Sequence, residues 1–367
     1  MRINFVKRKS YSKTTAVLTP AVSFLVSLVL TGIMLAAFGI NPFATYSNMF
    51  QGAFGTWRDF TETLVKAIPL ILTSLGVSVA FRLKFWNIGA EGQLVLGGVA
   101  ASAVALFGSE ALPPALLLPA AILAGAAAGG IWAGVPAFLK VKLRVDETLT
   151  TLMLNYVAIL AYDGIYCGPW RDPQGFGFPG SAQFPPAAWL PRLSGRAHMG
   201  LVFALIIAAV LWFAIYRTKW GFELQMIGQN KKAARVLGVS IGGNIMIALL
   251  ISGAISGIAG ACEVTGIARR LQQGLSLGYG YTAIIIAWMS RLNPAACVPV
   301  AVIMAGLLVG GDSVQIMMGV PASMGKVMQA MILFPMLAGS IFTEYRLVIS
   351  GGRKRGRTGN EGMEVAE

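Results

Sequence analysis

The chain has 367 residues, 56% of them hydrophobic and only 12% charged, and its mean hydropathy is +0.70. Charge at about half the roughly 25% of soluble domains excludes an ordinary cytosolic enzyme and a disordered chain, and three Cys exclude a disulfide-built secreted scaffold. Lys+Arg outnumber Asp+Glu 29 to 15, a net of +14; in a soluble protein that would point to nucleic acid, but in a chain this apolar it points first to membrane topology.

The apolar runs, in chain order, predict an all-α, polytopic membrane protein. A bilayer core takes about 20 apolar helical residues, with a range of roughly 17–25. A basic arm, residues 1–15, leads into Ala16–Phe38. That run exceeds the roughly 7–15 apolar residues of a signal peptide and no cleavage site follows it, so it reads as an uncleaved first span. Leu64–Phe81, Gly89–Phe107, Pro113–Leu139, Leu149–Tyr166, Met199–Tyr216 and Ile245–Ala261 follow. Three weaker stretches come after them: Tyr281–Met289, Ala295–Val309 and Val327–Phe342. Tyr281–Met289 is too short to cross as a regular helix and reads as a half-helix or re-entrant segment, which needs protein or a water-filled cavity around it. The expectation is eight to ten spans, with ten preferred, inside a permease domain of residues 16–349.

With the N-terminus inside and ten alternating spans, the cations of the N-terminal arm, Arg82 and Lys84, Lys140–Arg144, Arg217–Arg235, Arg291 and Arg346–Arg357 all fall on the inner side. The acids divide almost evenly, so the cations set the orientation: both termini cytoplasmic. The outer segment 163–197 carries Pro169, Trp170, Pro173, Pro179, Pro185, Pro186, Trp189 and Pro191, the composition of an ordered cap. The inner loop 217–243 is polar and compatible with helix, while the Gly/Arg/Glu-rich tail 350–367 reads as a disordered cytoplasmic extension. Gly125/Gly129, Gly130/Gly134 and Gly253/Gly257, with Gly260 beyond, have the small-xxx-small spacing that lets helices approach closely in lipid. No sequence repeat is evident.

Catalytic chemistry is not encoded in any familiar form. The single His, His198, stands beside a predicted helix start, and HExxH, CxxC and GxSxG are missing. Gly319–Lys326 has one residue too many between its glycines for a phosphate loop, and Val327 stands where Ser or Thr should hold magnesium. Cys167 and Cys262 both fall near the outer face, so a disulfide and isolated thiols both stand. What remains is polar punctuation in or beside the spans, which is costly in hydrocarbon and often marks a pathway. It comprises Asn87, Glu91 and Gln93 where an inner loop meets the third span, Asn155 within the fifth, and Glu263 at the outer end of the seventh. Each can equally serve as a cap or an interhelical hydrogen bond, and Glu147 behind Asp146 fits a cap at a helix N-terminus.

Phe85-Trp86-Asn87-Ile88-Gly89-Ala90-Glu91-Gly92-Gln93 resembles the F-N-I-G-x-E-G-Q signature of bacterial ABC importer permeases for nucleosides and simple sugars, a group related to branched-chain amino acid permeases. Glu147 through Asn155-Tyr156 is similar to that family's E-x-x-x-T-x-M-x-N-Y. Gly221-Phe222-Glu223-Leu224, Gly228–Arg235 and Ser252–Ala261 follow in the family's order, so the resemblance runs from about Pro42 to Phe342. It implies a transport subunit without an ATPase site or bound cofactor of its own, ATP and Mg being handled by partner ATPase subunits. The other implied partners are a second or sister permease and an extracytoplasmic substrate-binding lipoprotein, with no nucleic acid. The implied location is the bacterial inner membrane, and the implied mechanism is alternating access. Asn230, Lys231, Lys232, Ala233, Ala234, Arg235 and Gly238 fall where the family carries its E-A-A-x-x-x-G coupling loop, with Lys232 in place of Glu. Trp288-Met289-Ser290-Arg291 departs from the family's Gly-rich A-L-L-G. The rival class is an ion-coupled secondary transporter of a small polar solute, which needs intramembrane acids or broken helices at an ion site.

Overall fold

The computed structural model describes residues 2–7, 13–175, 177–319, 321, 324–325, 327–328, 330–332, 334–335, 338–339 and 345–350. The chain forms two compact units, residues 1–32 with 331–367, and residues 33–330. In the first unit, strand β1 (Arg2–Lys7) pairs antiparallel with the strand Tyr345–Ser350, Arg2 facing Ser350 and Lys7 facing Tyr345, so the two terminal segments lie side by side. Helix α1 (Lys13–Ala37) begins in that unit and its last residues, from Ile33, belong to the second, which continues with α2 (Pro42–Phe54).

Helix α2 has no counterpart among the predicted spans. Its start is written in the Asn41-Pro42 pair: Asn41 Oδ1 accepts from Phe43 N at 3.0 Å and Ala44 N at 3.3 Å, and Pro42 fills the first turn, where its missing N–H costs nothing. Helix α3 (Trp57–Arg82) begins seven residues ahead of the expected span, because Thr56 and Asp59 close a reciprocal capping box. Helices α4 (Ala90–Phe107), α5 (Pro114–Phe138), α6 (Glu147–Cys167) and α7 (Gly200–Arg217) lie within a few residues of their predicted runs. The cap of α6 is Asp146, whose Oδ1 accepts from Leu149 N at 2.9 Å, while Glu147 is ion-paired with Lys140.

The polar loop after α7 folds into α8 (Lys219–Gln229) and α9 (Lys231–Val236), and α10 (Ile241–Glu263) re-enters the core. Helices α11 (Tyr279–Met289) and α12 (Pro294–Met318) complete the described helical order. Among the described residues seven helices are long and apolar enough to cross a membrane, or eight if α1 and α2 form one bent span. The expected ten is therefore not reached within these residues: α11 is short, Val327–Phe342 lies only in part within them, and the tail after Ser350 lies outside them.

Helices α3, α4 and α10 are the most enclosed, with α5 packed across α4 and α10. Glycine makes this contact possible. A Cβ on Gly129 would stand 2.8 Å from Gly257 Cα, and one on Gly125 would stand 2.8 Å from Ala261 Cβ. As numbers rise along α5 from Gly125 to Gly134, the facing α10 residues fall from Ala261 to Leu250, so the pair is antiparallel. Each of the two ends the same way. Leu139–Leu143 and Val264–Ala268 are π-helical turns, closed by the left-handed residues Arg144 (φ 58°) and Arg269 (φ 54°).

One end of the second unit carries the 163–197 segment, which is ordered rather than a loose tether. It contains a short helical turn, Pro186–Ala188, and the strand pair β2 (Arg192–Ser194) and β3 (Ala197–His198), which makes Tyr345–Ser350 β4. Trp57 Nε1 donates to Ser194 Oγ, and Arg196 is ion-paired with Glu62. The same segment runs along residues 264–273: Leu190 N donates to Thr265 O, Phe184 N to Arg269 O and Ser181 N to Leu271 O. Cys167, Cys262 and Cys297 are all free thiols, so the disulfide alternative is not realised.

Candidate functional site

Three arrangements in the second unit combine polar groups with a position that could serve transport. The first is a lock around the start of α4. Asn87 Nδ2 donates to Ser252 Oγ of α10 at 3.1 Å and to Gln93 Oε1 at 3.3 Å, while its Oδ1 accepts from Gln93 Nε2 at 3.1 Å and Gly89 N at 3.0 Å. Asn155 Oδ1, from α6, accepts from Gly92 N at 2.8 Å, and its amide donates to Ile88 O at 2.8 Å and Tyr281 Oη at 3.3 Å. Glu91 reaches the other way, accepting from Ser276 Oγ at 2.9 Å, Gly278 N at 2.9 Å and Gly280 N at 2.6 Å. All four side chains are buried and engaged in bonds within the protein.

The Glu91 bonds have a structural cause. Residues 269–278 run without helix from the end of α10 to the start of α11, and irregular backbone inside a helical membrane core survives only if its polar groups are satisfied by protein or water. Here Tyr162 Oη donates to Gln272 O and accepts from Leu275 N, Ser181 Oγ accepts from Leu271 N, and Glu91 takes the N–H groups opening α11. A carboxylate at a helix N-terminus also complements the dipole there. Eleven residues give α11 a length of about 16 Å, half of a roughly 30 Å bilayer core. It is the short apolar segment expected there, read in the sequence as a half-helix or a re-entrant segment.

The second arrangement is a cavity of about 420 Å³ between α3, α11 and α12, lined by Lys66, Tyr279, Thr282, Asp312 and Gln315 among apolar neighbours. Lys66 Nζ donates to Tyr279 Oη at 3.1 Å and lies within electrostatic range of Asp312 and Glu263. Glu263 is buried at the end of α10, and among the described residues no hydrogen bond engages its side chain.

The third arrangement is the α8–α9 surface. Asn230 Oδ1 caps α9, accepting from Lys232 N at 2.9 Å and Ala233 N at 3.2 Å. Gly238, at φ +77°, ends it in the left-handed conformation that glycine adopts without strain, with Gly238 N donating to Arg235 O and Val239 N to Ala234 O. Ala234 faces inward, while Lys231, Lys232, Ala233, Arg235, Val236 and Leu237 are exposed. Helix α8 is bedded on the core, since a Cβ on Gly228 would collide with Arg82 O. Arg82 in turn donates to Leu292 O at 2.6 Å, in the turn between α11 and α12 where Arg291 and Leu292 both have positive φ. Beside it Phe81, Trp86 and Trp288 stack with ring centroids 5.4–5.9 Å apart, which is where the unusual Trp288 is accommodated.

Residues 60–337 match the family described as branched-chain amino acid transport system / permease component. The chain belongs to that family. The permease is 35% identical to the glucose ABC transporter permease protein TsgB13 of Haloferax volcanii, over 92% of this chain and 91% of that one. It is 33% identical to the guanosine ABC transporter permease protein NupP of Bacillus subtilis, over 89% and 93%. With the nucleoside ABC transporter permease protein NupB of Lactococcus lactis it shares 27%, over 88% and 91%. The membership implied by the motifs around Asn87, Asn155 and Gly228 is thereby established.

Of the residues singled out in the sequence, the structure gathers Asn87, Glu91, Gln93 and Asn155 into one lock, sets Glu263 near Lys66, and places Asn230–Gly238 on a separate surface. Sequence reasoning missed Lys66, Tyr279, Asp312 and Gln315. Lys66 lies three positions into the apolar run Leu64–Phe81, and Asp312 just past Ala295–Val309; a lone charge at the edge of a run was the available signal. What joins these residues is the fold-back of α11, which no local pattern encodes.

Proposed function

We propose that this permease forms the membrane path of an ABC importer for nucleosides or simple sugars, a multi-pass subunit of the bacterial inner membrane whose termini and α8–α9 surface face the cytoplasm. Glucose, guanosine and nucleosides in the relatives' names support the solute class. The cation distribution supports the orientation, and the pairing of β1 with β4 keeps both terminal segments on one face. The partners in this reading are ATPase subunits that supply ATP hydrolysis, a second or sister permease, and an extracytoplasmic binding protein.

The observation that carries the coupling role is an exposed short helix mounted on a bedded one. Helix α9 offers Lys231, Lys232 and Arg235 to a partner, while α8 rests on the end of α3 at Arg82. Displacement of α9 by an ATPase is passed through α8 to Arg82 and on to the α11–α12 turn. The opposite end of α11 is held by Glu91, so α11 and α12 pivot between a driven end and a fixed one. In this reading Asn87, Glu91, Gln93 and Asn155 shape the wall of the path as positioning residues, and Glu263 orients Lys66 beside it.

Replacing Lys232–Arg235 by Gly and Ser residues tests the assignment. Uptake by the reconstituted complex is expected to fall to background and ATPase capture to be lost, while membrane insertion of the permease is retained. Wild-type uptake with that replacement removes α9 from the coupling role.

A further inference from the structure

The cavity between α3, α11 and α12 has the dimensions and lining of a small-molecule site. Its volume of about 420 Å³ falls within the roughly 300–1,000 Å³ of ligand pockets, which are mostly apolar with a few placed polar groups. Tyr279 is buried at its floor, Lys66 is half-buried, and Asp312 and Gln315 are exposed at its mouth. Leu277, Leu307 and Leu308 supply apolar wall.

The charged groups have kept their capacity to bind. The ion pairs among the described residues are Lys140–Glu147 and Arg196–Glu62, so Lys66 and Asp312 share the cavity without neutralising each other by contact. Lys66 has three N–H donors and, among the described residues, one hydrogen bond, to Tyr279, while an ionised Asp312 is acceptor-only. Gln315 and Thr282 offer both functions. A cation would meet Lys66 and an anion would meet Asp312, each at a repulsive distance in a partly desolvated site. A neutral solute with several hydroxyls satisfies both at once, donating O–H to Asp312 and accepting from Lys66, with its C–H face against the leucines.

We propose that this cavity is a way station that binds a neutral polyhydroxylated solute during passage, with Lys66 and Asp312 as its specificity-determining contacts. The inference rests on the importer reading and deepens it, since it places solute selection within the permease as well as in a delivering partner. Two of its walls, α11 and α12, meet at the turn held by Arg82, so movement of that turn alters the cavity directly.

The test uses the full complex in proteoliposomes, with radiolabelled guanosine, uridine, D-ribose and D-glucose as probes. Wild-type complex is expected to take up at least one of them with ATP. Asp312→Asn and Lys66→Met are each expected to lower kcat/KM for that probe by about tenfold or more, because a hydrogen-bonding site discriminates strongly when a partner is lost, with complex assembly and ATP hydrolysis retained. Lys66→Arg is expected to restore part of the loss. In an otherwise intact cavity, Gln315→Cys introduced with Cys167→Ser gives a second readout. A small maleimide is expected to react with it at least about threefold more slowly in the presence of the transported probe, and at an unchanged rate with the probes that are not transported. ATP-dependent uptake by the wild type together with unaltered kinetics in both charge variants, or with no protection of the thiol, overturns the way station alone. Failure of the wild type to take up any probe with ATP overturns the importer reading and this inference with it.

Discussion

The hold of Glu91 on the non-helical segment can be tested by removing half of its acceptor capacity. In Glu91→Gln the side chain keeps its length, but one oxygen becomes an NH2 group. Its best orientation leaves the remaining oxygen on Ser276 Oγ and Gly278 N and turns the NH2 toward Gly280 N, where the shortest of the three bonds, 2.6 Å, had been. A donor then faces a buried donor, at a cost of about 1.5–3 kcal/mol for the lost charge-assisted bond. The missing negative charge at the start of α11 adds about 0.3–1 kcal/mol. The total, roughly 2–4 kcal/mol, falls on opening of residues 275–280 rather than on unfolding of the whole chain. Each 1.4 kcal/mol is a factor of ten, so the open population rises by roughly 30- to 700-fold. A thiol at the buried position Leu275 reports it: with Leu275→Cys and Cys167→Ser in place, maleimide labelling is expected to accelerate by that order when Glu91→Gln is added. Labelling at an unchanged rate would falsify the claim that the carboxylate holds this segment.

Two further outcomes follow from the packing and the buried histidine. Gly257→Val places side-chain atoms against the backbone of α5 at Gly125 and Gly129, so Tm in detergent is expected to drop by several degrees at about 1–3 kcal/mol of overpacking; Gly164→Ala, with nothing within 4 Å of the added Cβ, serves as the control and is expected to leave Tm unchanged. His198, in β3, is buried with Nδ1 accepting from Gly200 N and Nε2 without a partner among the described residues, and burial pushes its pKa from 6.5 down to about 4. Below about pH 6.5 the unfolded chain takes up a proton that the folded chain refuses, so stability is full above that pH and is lost as pH falls toward about 4. The loss is at most about 3.4 kcal/mol at 1.36 kcal/mol per pH unit. Unfolding measured between pH 7 and 4 is expected to show this slope in the wild type and a flatter one in His198→Gln; equal slopes would remove His198 as its source.

The sequence was informative where a signal is local. Apolar runs located α3 to α7, α10 and α12 to within a few residues in most cases, because a bilayer demands a long unbroken stretch and tolerates little else. The glycine spacings marked packing faces on α5 and α10, because small residues let backbones approach, but that these two faces meet each other is seen only in the structure. Helix α2 escaped because its cap, Asn41-Pro42, is a stronger cue than its modest hydrophobicity. Motif resemblance drew attention to Asn87, Glu91, Gln93 and Asn155, but their chemistry depends on partners far along the chain. Glu91 meets Gly280, 189 residues on, and Asn87 meets Ser252, 165 residues on. The cavity around Lys66 and Asp312 was illegible for a related reason: its walls come together only when α11 turns back into the core, and that reversal is set by hydrogen bonds to an otherwise featureless stretch.

The matching endings of α5 and α10 bear on symmetry. Two antiparallel helices crossing through glycines, each closed by a five-residue π turn and a left-handed arginine, are related by an approximate two-fold axis lying across them at the crossing. Arg144 and Arg269 are then equivalent positions on opposite faces of the layer that the helices span. This inverted relation exists in backbone geometry without a matching sequence: Leu-Lys-Val-Lys-Leu and Val-Thr-Gly-Ile-Ala share no pattern that a sequence repeat would need. Inverted repeats allow one architecture to present the same hinge to both sides of a membrane. Here the two related helices meet at a seam of glycines, Gly125 and Gly129 against Gly253 and Gly257.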